Sequence, residues 1–284
     1  RAALADDRDG APSTRALTLG ARASAPRHPS WITPRGDPAV QLALSDDALS
    51  ARLVALRDGP LRLAIVSNAA DDDAPAAARA LERWLDRVEP PRACPAREAS
   101  PRAPRAGSYT RAARAGEPAS ALLLFPLGAD AASASADALA LALGAPGGPL
   151  DGALVGPGLA SAARARVLGG ARAPTLAIHV TATDGALGPA VMQTRAAIER
   201  VRQGALTDAD VARARDAGRA RERELLADPG ERAARLWRGE AVAAEPSIAD
   251  VRALAARALA ETDLVVVTTG APVADGAKAA PSHP

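Results

Sequence analysis

Five prolines interrupt the middle of this chain of 284 residues. They lie in EPPRACPAREASPRAPRAG, residues 89–107. Proline has no amide hydrogen and fixes its own φ angle, so such a stretch forms neither a long helix nor a central strand. The sequence therefore predicts a linker at residues 89–107. It separates part of a first domain, residues 1–88, from a second domain, residues 108–284.

A capped helix followed by an apolar strand occurs in both of these parts. In the first part, Ser45 precedes a helix and LRLAIVSN (61–68) follows as a strand. In the second part, Ser247 precedes a helix and DLVVVTTG (263–270) follows. Serine is a favoured N-cap because its hydroxyl accepts a hydrogen bond from a free backbone amide of the first turn. Both parts are therefore expected to mix helices with strands.

The rest of the pattern predicts an α+β fold. Apolar runs predict strands at residues 119–128 and 174–184. Helical spacing predicts helices at residues 71–88, 130–144 and 187–204, another around 232–242, and a helical middle for residues 158–170. Gly204 is expected to end the 187–204 helix as its C-cap.

One long helix carries few large apolar residues. GALTDADVARARDAGRARERELL (204–226) places Thr207 at the N-cap, with Asp208 and Asp210 in the first turn, where they favour the helix dipole. Its apolar positions form a narrow seam that lets another element approach closely, made by Val211, Ala214, Gly218 and Leu225. The charged remainder is expected to face solvent.

Charge and composition argue against two classes of function. The formal net charge is +2 and the surface charges are nearly balanced. The few aromatic side chains are scattered, so no nucleic-acid partner is predicted. No apolar run approaches the roughly 20 residues that a membrane-spanning helix needs. Cys94 is the only cysteine, which excludes an internal disulfide and a cysteine-based zinc site.

The sequence offers no metal site and no catalytic residue. Its three histidines are His28, His179 and His283, and none belongs to an H-x-x-E-H motif or to a pair at helical spacing. His179 lies in a predicted strand and is expected to be a buried or edge histidine with its hydrogen bonds satisfied. The acidic run at 71–73 opens a helix, where the dipole accounts for it. GPGLAS (156–161) lacks the third glycine of a dinucleotide loop and the lysine of a P-loop, so a turn is predicted.

The order of these elements resembles that of the M16 zinc metallopeptidases, the insulinase and mitochondrial processing peptidase-like family. The resemblance rests on HPSWITPRGD (28–37) before the first helix–strand unit, and on HVTATDGALGPAVMQTRAAIERVRQGALTDADVARAR (179–215) in the second half. It implies an antiparallel sheet covered by helices, with the end of one domain followed by a second complete domain. The helix that begins after Thr207 would then cover one face of that sheet.

The resemblance also implies that this chain lacks the family's chemistry. The family binds zinc through H-x-x-E-H, and its second half supplies an Arg and a Tyr in a pattern like L-R-x-x-x-G-L-x-Y. GALVGPGLAS (152–161) matches that pattern through Gly158 and Leu159. The Tyr position falls on Ser161 and the Arg position near Leu154, while the arginines at 164 and 166 lie out of register.

Three hypotheses about the function of the chain follow. The first is a non-catalytic half of an M16-type peptidase assembly that forms the chamber wall and helps to bind peptide substrate. The second is the C-terminal portion of an active zinc metalloendopeptidase whose H-x-x-E-H motif lies upstream of Arg1. The third is a scaffold or interaction protein without a proteolytic role. An exposed apolar groove on the inner wall would favour the first two readings.

The expected cofactor and partners follow from the resemblance. No cofactor is expected in this chain, and zinc is expected only in an upstream half or in a partner. The expected partner is a catalytic M16-type subunit, giving a heterodimer, or a second copy of this chain, together with peptide substrate. Because the chain begins at Arg1 without a methionine, it is expected to be a processed or truncated piece of a longer protein. The resemblance to bacterial members of the family implies a bacterial protein, with the periplasm or cell envelope favoured over the cytoplasm.

Overall fold

The structure is a computed structural model of the whole chain. It describes residues 44–57, 64, 66, 73–85, 106–111, 113, 116–128, 133–168, 174–183, 185–238, 245–270 and 278–279. The chain divides into two compact units. The first comprises Arg1–Gly36, Ser100–Arg219 and Ala244–Pro284, and the second comprises Asp37–Ala99 and Ala220–Ala243. The predicted strand at 61–68 and the predicted linker at 89–107 fall almost entirely outside the described ranges, so these and the domain limits stay predictions.

Runs of helices and runs of strands follow one another along the chain, as is typical of an α+β fold. The strands are β1 (Gly107–Arg111), β2 (Ser120–Pro126), β3 (Ala160–Leu168), β4 (Thr175–Ala182), β5 (Val265–Thr269) and β6 (Lys278–Ala279). The helices are α1 (Asp46–Arg57), α2 (Asp73–Leu85), α3 (Ser133–Gly144), α4 (Leu187–Arg200), α5 (Asp208–Ala227), α6 (Pro229–Arg238) and α7 (Ile248–Ala258). Short helical turns add Asp151–Val155, Val201–Ala205 and Glu261–Asp263.

The strands form one sheet in the order β3-β4-β2-β5-β1-β6. The pairings from β3 through β4 and β2 to β5 are antiparallel, in agreement with the predicted sheet. β1 then pairs with β5, and β6 with β1, in parallel. The sheet is therefore antiparallel through its larger part, with β3 as the edge strand on that side.

Helices cover one face of the sheet. Alternate residues of β2 and β4, such as Leu123 and Ile178, pack with α3, α4 and α7 in the main core. The intervening residues point to the opposite face, as the pleat of a strand requires. There, Leu122, Leu124, Ala177, Val265 and Val267 form a second and smaller buried cluster. β2 reads as an unbroken apolar run because both of its faces are buried.

The prediction of a helical middle for residues 158–170 is wrong. The segment forms β3, paired in register with β4. Its alanines and arginines favour a helix locally, but pairing with β4 and packing on the core override that weak preference. The residues packed against the core alternate along the strand: Ala163, Ala165 and Val167. Period two is the strand pattern, and it was visible in the sequence.

The long polar helix α5 has a short buried seam. Val211 and Ala214 are each 1% exposed, and Leu141 Cδ1 of α3 lies 3.6 Å from the position that a Cβ on Gly218 would occupy. Close packing along this line is as predicted. Arg215 on the same helix donates two hydrogen bonds to the carbonyl of Pro246, at 3.1 and 2.6 Å. α5 therefore gains contact area from small side chains and fixes its position with arginine.

The predicted caps are present where the chain is described. The Ser45 hydroxyl accepts from the Ala48 amide at 3.2 Å. Ser247 and Asp250 form a capping box at the start of α7. Gly204, with φ at 98°, ends the helical stretch after α4. These local signals were readable because each acts within a few residues of its own position.

Candidate functional site

Two arginines and a histidine lie together where β3 pairs with β4. Arg164 is directly opposite His179 in the antiparallel register, and Arg166 is opposite Ala177. Residues opposite one another point to the same face, so Arg164, Arg166 and His179 share the sheet face opposite to α3, α4 and α7. We call these three residues the basic patch. Both arginines are exposed, whereas His179 is half-buried.

The environment of His179 disfavours its charged form. Its pKa is lowered from the ordinary value of 6.5, first because burial removes the imidazolium from water and then because Arg166 and Arg164 repel it. Nε2 is buried and has no hydrogen-bond partner among the described residues. At this nitrogen, the described part of the chain does not supply the hydrogen bond that was expected. The residues opposite it in the ladders are Leu122, which offers no polar group, and the cation Arg164.

No acidic side chain belongs to the strands around the basic patch. The six strands contain no aspartate and no glutamate. Among the described residues, neither Arg164 nor Arg166 forms an ion pair or a side-chain hydrogen bond. Two arginines of α5 differ, because Arg213 pairs with Asp210, and Arg219 pairs with Asp216 and Glu245. The positive charge of the basic patch is thus left unneutralised by the described part of the chain.

The outer edge of β3 is the second part of the site. β3 has β4 on one side and no strand on the other within the sheet. In the part of the chain that the structure describes, no backbone group of Ala160–Leu168 bonds beyond the β3–β4 ladder. An unpaired edge offers amide and carbonyl groups to another extended chain. The basic patch begins on this edge strand.

The positions that match the family's Arg and Tyr have no catalytic character here. Leu154 is fully buried in the helical turn before β3. Ser161 is an exposed hydroxyl that donates to the carbonyl of Thr181 at 3.4 Å. Gly158 has φ at 77° and turns the chain into β3, and its carbonyl accepts from the Thr183 hydroxyl at 2.9 Å. The segment leads the chain into β3 and holds its first turn against β4.

Other residues considered in the sequence add no second site. His28, His283, Cys94, Asp71 and Asp72 lie outside the described residues. Within the described ranges, no group of three or more His, Cys, Asp or Glu side chains could hold a metal ion. The lack of catalytic and metal-binding residues therefore stays a prediction for the chain as a whole. No helix of the described part is long and apolar enough to cross a membrane.

Two open cavities lie elsewhere in the first unit, and each has one acidic lining group that is already engaged. One, of about 330 Å³, is lined by a glycine-rich turn and by Asp210, which caps α5 and pairs with Arg213. The other, of about 520 Å³, is lined by Glu199, which accepts from Arg202 and Gln203 at 2.6 Å. The basic patch and the β3 edge combine two exposed cations with a strand edge that is unpaired in the described part of the chain.

Sequence reasoning noted Arg164 and Arg166 only as arginines out of register with the family motif. The sequence did not predict that the two arginines lie beside His179 on one face of a sheet, because the middle of their segment was interpreted as helical. The alternation of Ala163, Arg164, Ala165 and Arg166 would have predicted a strand with both arginines on one face. Only the register with β4 adds His179 to that face.

The chain was compared with known proteins. No protein-family model and no curated protein matches its sequence. A peptidase M16 inactive domain from Pseudomonas fluorescens superposes with a TM-score of 0.71 at 15% identity, over 96% of this chain and 69% of that chain. A chain of complex III2 from Candida albicans gives a TM-score of 0.73 at 13% identity, over 95% and 69%. An M16-like peptidase from Alicyclobacillus acidocaldarius gives 0.63 at 18% identity, over 93% and 66%.

These similarities define the fold. The chain has the α+β fold of M16-like peptidase domains. It spans about two thirds of the length of each of these three structures. At such low sequence identity the likeness concerns architecture alone, so activity has to be argued from the residues of the chain itself.

Proposed function

We propose that this chain is a non-catalytic half of an M16-type peptidase assembly, in which it forms part of the chamber wall and binds peptide substrate in extended form. One observation carries the proposal: among the described strands, β3 is an edge strand without a partner on its outer side, in a chain with the fold of M16-like peptidase domains. An extended peptide that adds to such an edge gains main-chain hydrogen bonds, which tolerate many sequences. The structural similarity to an inactive M16 domain supports a role without bond cleavage.

In this proposal the reaction takes place at zinc held elsewhere. The only described histidine, His179, lies beside two arginines of the neighbouring strand, which repel a metal cation. The zinc would belong to an upstream half of the protein or to a catalytic M16-type partner subunit. A second copy of this chain would be an alternative partner that supplies no zinc of its own. A periplasmic or envelope location fits this arrangement. Metal analysis that found one tightly bound zinc per chain would contradict this part of the proposal.

Hydrogen exchange tests the binding mode directly. The purified chain is mixed with a seven-residue peptide of alternating valine and polar residues, and amide exchange is followed by mass spectrometry. We expect slower exchange in the segment that contains β3, because its outer amides gain partners. Segments of β2 should not change, because that strand is already paired on both sides.

The peptide backbone supplies the matched control. Methylation of alternate amide nitrogens removes every second donor of the peptide, in one of two registers. Methylation of one set of alternate amides should abolish binding, and methylation of the other set should leave binding unchanged. The reason is that only alternate amides of an added strand face the sheet. Equal binding by both methylated peptides, or protection away from β3, would overturn the proposed mode. Cleavage of the peptide by the purified chain would overturn the non-catalytic role.

A further inference from the structure

The basic patch gives the β3 edge a charge preference. We propose that this edge selects extended peptides with acidic side chains at alternate positions, in the order acidic, any, acidic. The inference rests on the proposed function, because it requires that a peptide adds to β3 as a strand. It concerns the two exposed cations, Arg164 and Arg166, and the neutral imidazole of His179 behind them.

Strand geometry fixes the spacing of the preferred residues. Arg164 and Arg166 are two residues apart and point to the same face of the sheet. In an added strand, residues at positions i and i+2 also point to that face. Side chains directly opposite one another across a strand pair have Cβ atoms about 4.5–5.5 Å apart. Two carboxylates at that spacing therefore lie within reach of two guanidinium groups.

The chemistry of the patch fits a carboxylate better than a neutral group. Guanidinium presents several donors in a planar fork that matches both oxygens of a carboxylate. The strands bring no acidic side chain that would compete for Arg164 or Arg166. The residue between the two acidic positions points to the other face, beside Ala163, Ala165 and Val167, which pack on the main core. A small apolar residue suits that middle position.

The charge preference can be measured with three peptides capped at both ends. They are Thr-Val-Glu-Val-Glu-Val-Thr and its counterparts with glutamine or lysine in place of both glutamates. Binding to the full chain is followed by fluorescence anisotropy at low and at physiological salt. We expect the glutamate peptide to bind about tenfold more tightly than the glutamine peptide at low salt, because two exposed ion pairs each contribute severalfold. The lysine peptide should bind most weakly, and the difference should shrink with salt.

A double variant ties the preference to the patch. Arg164→Gln with Arg166→Gln should lower the affinity for the glutamate peptide to that for the glutamine peptide. The affinity for the glutamine peptide should not change. The matched control is Arg200→Gln with Arg221→Gln, which removes the same charge from two exposed helix positions. The control should keep the preference. Circular dichroism and thermal melting establish that both variants are folded.

The outcomes separate the two proposals. Equal affinity for the glutamate and glutamine peptides, or an equal loss of preference in both double variants, would overturn the charge selection while peptide binding stands. Binding of none of the three peptides would overturn the proposed function, and the selection with it. A preference that persists in the variant lacking Arg164 and Arg166 would locate the selective surface elsewhere.

Discussion

Arg164 on β3 and His179 on β4 lie directly opposite one another in an antiparallel pair, on the sheet face away from the helices. No acidic residue of the sheet lies between them. Partial burial, and then repulsion by the two neighbouring arginines, lower the pKa of the imidazole and so favour its neutral form. The pairing of β3 with β4 thus brings together two residues that are fifteen positions apart in the chain. The charge of the arginine then affects the protonation of the histidine.

Removal of the two arginine charges should raise the pKa of His179. In Arg164→Gln with Arg166→Gln the repulsion of the imidazolium disappears, while the effect of burial remains. We therefore expect a higher pKa in the variant, still below the ordinary 6.5. Titration of the imidazole resonances by NMR measures it, with His179→Gln to assign the signal. An unchanged or lower pKa would show that the arginines do not face the imidazole.

The same group should make stability depend on pH. Because the pKa of His179 is lower in the folded state, the unfolded chain binds more protons in the window between the folded value and the ordinary value of 6.5. The stabilising effect of its neutral form is therefore present above pH 6.5 and declines as the pH falls through that window. Urea unfolding at several pH values should show a smaller decline in His179→Gln than in the native sequence. Identical declines would assign the effect to other groups.

The N-cap of α5 should contribute measurably to stability. The Thr207 hydroxyl accepts from the Asp210 amide at 3.1 Å, and an Asp210 carboxylate oxygen accepts from the Thr207 amide at 2.9 Å. Thr207→Ala removes the hydroxyl and is expected to cost about 1 kcal/mol. The exposed Thr262 in a short helical turn provides the control, since Thr262→Ala should change the free energy of unfolding by much less. Equal effects of the two substitutions would contradict a capping role.

Gly144 should resist even the smallest enlargement. A Cβ at this position would lie 2.7 Å from the backbone nitrogen of Ala165 in β3, which is closer than real contacts allow. Gly144→Ala is therefore expected to destabilise the fold by about 1–3 kcal/mol, because α3 or β3 must shift. Gly152→Ala is the matched control, because nothing lies within 4 Å of its Cβ position. Thermal melts of the two variants should differ clearly, and equal melting temperatures would contradict the close approach.

Burial on α4 should separate two apolar substitutions on one helix. Ile198 is 3% exposed and belongs to the main core, whereas Met192 is 62% exposed. Ile198→Ala is expected to cost about 2–5 kcal/mol, because it loses apolar burial and leaves a cavity. Met192→Ala should cost a small fraction of that. Denaturant unfolding of the two variants checks this, and a large effect of Met192→Ala would place that side chain against a further surface.

The sequence predicted the features that act over short distances. Ser247 and Thr207 were recognised as caps because each hydroxyl bonds within its own helix turn. β2 was recognised because its apolar run is continuous. The α+β fold of the M16-like domains followed from the order of such elements.

The candidate site depended on longer-range information. β3 was missed because its alanines and arginines are good helix formers, and only pairing with β4 makes it a strand. The position of Arg164 opposite His179 needs the exact register of that pair, since a shift by one residue would send the arginines to the opposite face. No local pattern specifies this register, so the basic patch became visible only in the structure.

The arginines of β3 also affect whether two copies of this chain can pair along their β3 edges. An unpaired strand invites the same strand of another molecule, and such pairing between copies starts aggregation. If two copies met antiparallel along this edge, Arg164 and Arg166 of one would lie beside those of the other, and like charges would repel them. The edge can therefore remain accessible to a chain of opposite charge, while repulsion between arginines disfavours pairing with the same edge of a second copy.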